Sequence, residues 1–233
     1  MRKWILYHIP KTGGTSLSQH LQCELQDEFM SISLREQPAS FTPQQVRVLP
    51  RRQLERVKVF QGHGVGRYLH DLLPQVVFSE LVVLREPATR LVSHFNFRNE
   101  SPKAIEKNKL SLREFLRQTQ PDFMLKFMAY RLGYPINFRA LDRVLHDLTG
   151  MYTLTLDEVD EAIVELSRIL AIPTSAPRRN VSGVDFPVRM EADSELIREV
   201  RELNPLDVIL FEAARGMAPQ SIDRMKKLAS EDA

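Results

Sequence analysis

Two adjacent glycines, Gly13 and Gly14, sit between an apolar run and a helical pattern, and no other stretch constrains the fold as tightly. Trp4 to Tyr7 has the character of a buried strand. His8-Ile9-Pro10-Lys11-Thr12-Gly13-Gly14-Thr15-Ser16 follows directly, and Leu17, Leu21, Leu25 and Phe29 then recur at helical spacing. Strand, tight turn, helix is the order from which a protein builds an anion site out of its own backbone. The glycines allow a sharp turn and a close ligand approach. The first N–H groups of a helix have no partner within it, and the helix dipole favours negative charge there. Lys11 adds a positive charge, and Thr12, Thr15 and Ser16 add hydroxyls. The stretch predicts a pocket of phosphate or sulfate size. It is not a Walker A loop, because Lys11 precedes the glycines and the spacing differs. The alternative reading is an ordinary strand-to-helix turn with a surface lysine.

A second stretch repeats the pattern. Ser79 to Leu84 is an apolar run of strand length that ends in Arg85-Glu86-Pro87. Pro87 suits a first helical turn, where its missing N–H costs nothing. Leu91, Val92 and Phe95 continue at helical spacing. Arg85 therefore falls at the carboxyl end of a strand, where open α/β sheets bind ligands, and Ser93 lies two turns into the next helix. A guanidinium grips phosphate as a fork, and a hydroxyl can complete the cage. Arg85 paired with a carboxylate and Ser93 merely exposed would be the plainer reading. Between the two stretches, Val57 to Phe60 leads into Gln61-Gly62-His63-Gly64. A histidine flanked by glycines after a strand is well placed to act as a general base near neutral pH.

Together these motifs resemble the sulfotransferases that use PAPS (3′-phosphoadenosine 5′-phosphosulfate). The HIPKTGGTS form is most similar to the carbohydrate, heparan 2-O-/6-O-sulfotransferase-like branch. The resemblance implies a P-loop-kinase-like sulfotransferase fold and transfer of a sulfuryl group from PAPS to a hydroxyl of a saccharide or glycoconjugate acceptor. It implies that Lys11, Thr12, Gly13, Gly14, Thr15 and Ser16 hold the 5′-phosphosulfate. Arg85 and Ser93 would hold the 3′-phosphate, Lys11 would also stabilise the leaving group, and His63 would be the base, with His94 and Glu86 in reserve. No metal is implied. A basic loop, Pro177-Arg178-Arg179-Asn180-Val181-Ser182-Gly183, resembles the family segment that closes over the nucleotide, and reads equally well as solvated loop charge. Two other functions stay open: a P-loop-like nucleotide kinase or phosphotransferase, and a non-catalytic PAP-binding protein on the same fold.

The alternation of strands and helices predicts an α/β chain, a three-layer α/β/α arrangement with a mainly parallel central sheet. Strands are expected at 3–9, 57–60, 80–85 and 152–156, and helices at 14–29, 87–98 and across 111–149, with loops near Pro121 and Gly133. Thr42-Pro43 with Gln45 signals a capping box. Asp157 is expected to cap a helix whose Val159, Ile163, Leu166 and Leu170 form one stripe. Asn204-Pro205 opens a last helix that Gly216 is expected to stop. That gives one domain over 1–218 and a polar tail over 219–233. The net charge of +2 is too small to argue for a nucleic-acid partner, although Lys11, Arg85 and Arg90 cluster around the anion motifs. Cys23, the only cysteine, reads as a small packing residue. The chain opens almost at once on a strand and has no run long enough to span a bilayer, so a cytoplasmic, bacterial relative without stable membrane insertion is expected.

Overall fold

Strands that are apolar on both faces belong in the middle of a parallel sheet, and this chain uses them so. The computed structural model describes residues 2–100, 110–174 and 194–231. Strands β1 (Arg2–Tyr7), β2 (Phe29–Ser31), β3 (Val59–Gly62), β4 (Val77–Leu84) and β5 (Tyr152–Thr155) form one sheet in the order β2-β3-β1-β4-β5. Every pairing is parallel. In β1, Trp4 and Leu6 face one side while Ile5 and Tyr7 face the other, and all four are buried.

The Trp4 side is covered by α1 (Gly14–Leu25), by α9 (Val159–Ile169) and by the end of α11 (Pro205–Glu231). The Ile5 side carries α2 (Pro43–Val48), α3 (Arg51–Arg56), α4 (Tyr68–Leu72), α7 (Phe123–Arg131), α8 (Ala140–Gly150) and the start of α11. A satellite core joins α5 (Pro87–Glu100), α6 (Leu112–Gln118) and α10 (Ser194–Leu203) through Leu91, Phe95, Phe115 and Val200. This is a three-layer α/β/α fold, and its sheet is wholly parallel. No helix among the described residues is long and apolar enough to cross a membrane.

Local chemistry explains most boundaries. Thr42 accepts from the Gln45 N–H, and the Gln45 side chain accepts from the Thr42 N–H, closing the expected capping box on α2. The start of α9 differs from expectation. Thr155, not Asp157, makes the box, with Glu158 as its partner, and Asp157 lies in the short 3₁₀ turn before the helix. Helix α1 ends at Leu25, and Phe29 opens β2 rather than closing the helix. Cys23 is exposed rather than packed. At 100° per residue it stands about 200° around the helix from Leu21, away from the sheet.

Helix α11 overturns two expectations. It runs through Gly216 and Pro219 to Glu231, so 219–231 is no tail. Pro219 supplies no N–H to the preceding turn, yet tertiary contacts hold the helix beyond it. Ser221 Oγ accepts from the Thr153 N–H at 3.0 Å on the open edge of β5, and Ile222, Met225 and Leu228 are buried. At its other end, α11 is locked to α7 by reciprocal capping. Asp122 Oδ1 accepts from the N–H groups of Leu206 and Asp207, at 2.9 and 3.1 Å. Asp207 accepts from those of Met124 and Leu125, at 3.0 and 2.8 Å.

Candidate active site

The connection after β1 leaves toward α1 on one face of the sheet, while the connection after β3 leaves toward α4 on the other. Diverging connections open a crevice at the carboxyl ends of neighbouring strands, the usual place for a ligand in an open α/β sheet. Tyr7 pairs with Gly62 across this point, so the next residues of the two strands, His8 and His63, emerge side by side. Their ring centroids are 4.6 Å apart.

His63 Nδ1 donates to the His8 carbonyl oxygen at 2.6 Å. A carbonyl only accepts, so a proton must sit on Nδ1, and in the neutral ring Nε2 carries the lone pair. Burial first, then His63 and Lys11, lower the pKa of His8 to about 4, which keeps that ring neutral above acidic pH. The strand expected over 3–9 includes His8, whereas β1 ends at Tyr7 and leaves His8 at its carboxyl end. The signal for it was present: it stands one residue past a strand end, as His63 does, and parallel register turns that into adjacency.

The glycine pair has two separate jobs. Gly13 holds φ +96°, in the left-handed region, and forms the N-cap of α1 without any side-chain cap. Gly14 makes room for His8, since a Cβ at Gly14 would fall 2.5 Å from His8 Cδ2. Lys11 also adopts a left-handed backbone, φ 70°. That conformation is costly for a residue with a side chain. It is pinned by Arg85, whose Nη1 donates to the Lys11 carbonyl at 3.2 Å. The Lys11 ammonium lies 4.0 Å from the centre of the Phe97 ring.

Arg85 follows β4 as expected. Its Nε donates to Thr89 Oγ1 at 3.3 Å, and burial pulls its pKa below the ordinary range while Glu86 opposes. Thr89 and Ser93 are four apart on α5 and share a face, so Arg85, Thr89 and Ser93 form one polar edge beside the loop. Thr89 was not singled out in the sequence, where nothing distinguishes it from an ordinary helical threonine.

Other candidates take different places. The Thr12 hydroxyl is buried and donates to the Ile9 carbonyl at 3.0 Å, so its side chain holds the loop's shape. Thr15 is exposed and Ser16 half-buried at the start of α1. Glu86 caps α5 by accepting from the Thr89 N–H at 2.7 Å. Arg90 is only 2% exposed and turns inward over the Phe123 ring, so it does not add to the loop's surface charge. His94 packs edge-on against Phe115, and burial, with Arg90, Lys11 and Arg98 nearby, lowers its pKa to about 4. A ring that gives up its proton so readily is a weak base, which disfavours His94 as the fallback. His20 donates from Nε2 to Ser167 Oγ at 2.8 Å, and Ser167 in turn donates to the Ile163 carbonyl, a purely structural bridge between α1 and α9. Arg178, Arg179, Asn180 and Ser182 lie outside the described residues.

What assembles, then, is an uncapped helix start, a lysine, a half-buried arginine fixed to the lysine's carbonyl, and a histidine whose Nδ1 proton is committed to the backbone. A scan against models of known protein families finds no match for this chain, and a search of curated proteins finds none either.

Proposed function

We propose that the protein transfers a sulfuryl group from PAPS to a hydroxyl, most readily one on a saccharide. The observation that carries this reading is the hydrogen bond from His63 Nδ1 to the His8 carbonyl, beside the Lys11–Gly14 turn. In the neutral ring it leaves Nε2 as a proton acceptor on a side chain packed 4.6 Å from His8, the residue that leads into the anion loop. The N–H groups at the start of α1, with Thr15, Ser16 and Lys11, would hold the 5′-phosphosulfate. Arg85 and the Thr89–Ser93 edge would hold the 3′-phosphate.

In the reaction, His63 Nε2 takes the acceptor hydroxyl proton as that oxygen bonds to sulfur. The bond from sulfur to the bridging phosphate oxygen breaks in line, and PAP leaves with the electron pair. Lys11 offsets the charge that grows on the bridging oxygen. Such transfer asks little covalent work of the protein and much positioning and electrostatics. Incubation with radiolabelled PAPS and a panel of mono- and oligosaccharides tests the reading. Label should pass to an acceptor and stoichiometric PAP should form. PAPS binding without turnover on any acceptor class would leave a PAP-binding protein, and no PAPS binding would remove the reading altogether.

A further inference from the structure

A second polar cavity, of about 980 Å³, begins three residues past His63, on the Ile5 side of the sheet. Its lining includes Arg47, Arg67, Tyr68, His70, Glu80 and Arg131. Part of this charge is already matched. Glu80 accepts from the Tyr7 hydroxyl at 2.9 Å, lies 3.0 Å from His70 Nε2, and pairs with Arg67 at 3.6 Å. Arg67 also pairs with Asp147 at 2.9 Å and donates to the Tyr134 hydroxyl at 3.1 Å.

Arg131 is different. It is the last residue of α7 and only 9% exposed. Its Nε is buried with no hydrogen-bond partner, and among the described residues no carboxylate acts on its charge. The rings of Phe127 and Tyr130 stack on it, at 5.2 and 4.9 Å. Aromatic faces offset charge but accept none of the in-plane N–H bonds of a guanidinium. Arg47 approaches from α2, lies over the Tyr68 ring at 4.6 Å, and lines the same cavity as Arg131. A buried guanidinium N–H without a partner is costly, and an anion of matching geometry relieves it.

We propose that this cavity is a second anion site, separate from the glycine loop, that takes one carboxylate-, phosphate- or sulfate-sized group between Arg131 and Arg47. The group is either free or carried on a saccharide. The saccharide-borne form rests on the sulfotransferase reading and would make this the place where the acceptor is held; the site itself does not depend on that reading.

Calorimetry on the full chain tests it with three probes: inorganic phosphate, glucose 6-phosphate and glucose. Phosphate and glucose 6-phosphate should bind saturably and glucose should not. Arg131→Met should weaken both by roughly tenfold or more, as loss of a charge-assisted fork implies. Arg47→Gln should weaken them less, and Lys11→Ala should weaken only anion binding at the glycine loop, leaving the component that Arg131→Met removes. Tighter binding of glucose 6-phosphate than of phosphate assigns the group to a saccharide, and equal binding assigns it to a free anion. The glycine loop can take phosphate as well, so the expected isotherm has two components; loss of neither component in Arg131→Met or Arg47→Gln, or no saturable binding at millimolar probe, overturns the proposal. Arg47 is exposed, so Arg47→Gln carries the test even if Arg131→Met fails to fold. PAP binding measured on Arg131→Met and Arg47→Gln should be unaffected, and so reports the nucleotide reading separately.

Discussion

His63 illustrates how a backbone contact selects a side chain's chemistry. Its Nδ1 proton is committed to the His8 carbonyl, so only Nε2 can accept. If that nitrogen is the base, His63→Ala lowers saturated turnover by roughly 10²–10⁴-fold and leaves PAP affinity nearly intact. Arg85→Ala should do the reverse, weakening PAP binding most. Single-turnover sulfation and PAP calorimetry on both variants check this, and wild-type turnover in His63→Ala would move the base elsewhere. His8 bears on stability rather than on transfer. Its folded pKa of about 4 lies below the ordinary histidine value of 6.5, so between these values the unfolded chain binds more protons. The His8 contribution is therefore complete above about pH 6.5 and is lost as pH falls toward 4. Asp207 runs the opposite way. Burial raises its pKa to about 6, so its share of stability declines as pH rises from about 4 to 6. Comparing His8→Asn with the wild type cancels the Asp207 share. The substitution should cost less stability at pH 5 than at pH 7 in urea unfolding. A difference that does not change with pH would contradict the assignment of a neutral, buried His8.

Elements were legible where local chemistry decides them and obscure where packing does. The strand, turn and helix around Gly13 and Gly14 follow from composition, as do the cap at Thr42 and the opening of α5 at Pro87. Strand β2, only Phe29 to Ser31, was hidden because its apolar residues continue the spacing of α1. Helix α11 was cut short because Gly216 and Pro219 are both stop signals, and nothing local announces the sheet edge that Ser221 satisfies. The Lys11–Arg85 and His8–His63 contacts required strand order, which spacing along a chain does not encode. Gly216 offers a direct test of the continued helix. It sits inside α11, and a Cβ placed there meets nothing within 4 Å. Gly216→Ala should stabilise the protein by roughly 0.5–1 kcal/mol, because alanine loses less freedom on entering a helix. Destabilisation would mean that the helix stops or bends at Gly216.

At the scale of the whole molecule, the crevice exists because β1 and β3 lie side by side while their connections leave toward opposite faces. The second half of α11 closes the sheet on the far side, beyond β5. A chain ending at Ala218 would expose the β5 edge and lose the burial of Ile222, Met225 and Leu228. Each such side chain contributes about 1.5–3 kcal/mol when fully buried. The truncated chain should therefore lose a large part of a typical stability of about 5–15 kcal/mol and aggregate more readily. Unchanged thermal unfolding of the truncated chain would show that residues 219–231 are dispensable. The sulfotransferase reading depends on two anion subsites, the helix start that follows Gly13 and the edge that begins at Arg85. PAP carries a phosphate for each, whereas ADP carries both of its phosphates at the 5′ end. Calorimetric titration of the full chain with PAP and with ADP tests this claim most directly. PAP should bind at least roughly tenfold more tightly, the worth of one charge-assisted fork, and Arg85→Ala should erase the difference. Equal affinity for PAP and ADP, or tighter binding of ADP, would contradict the account.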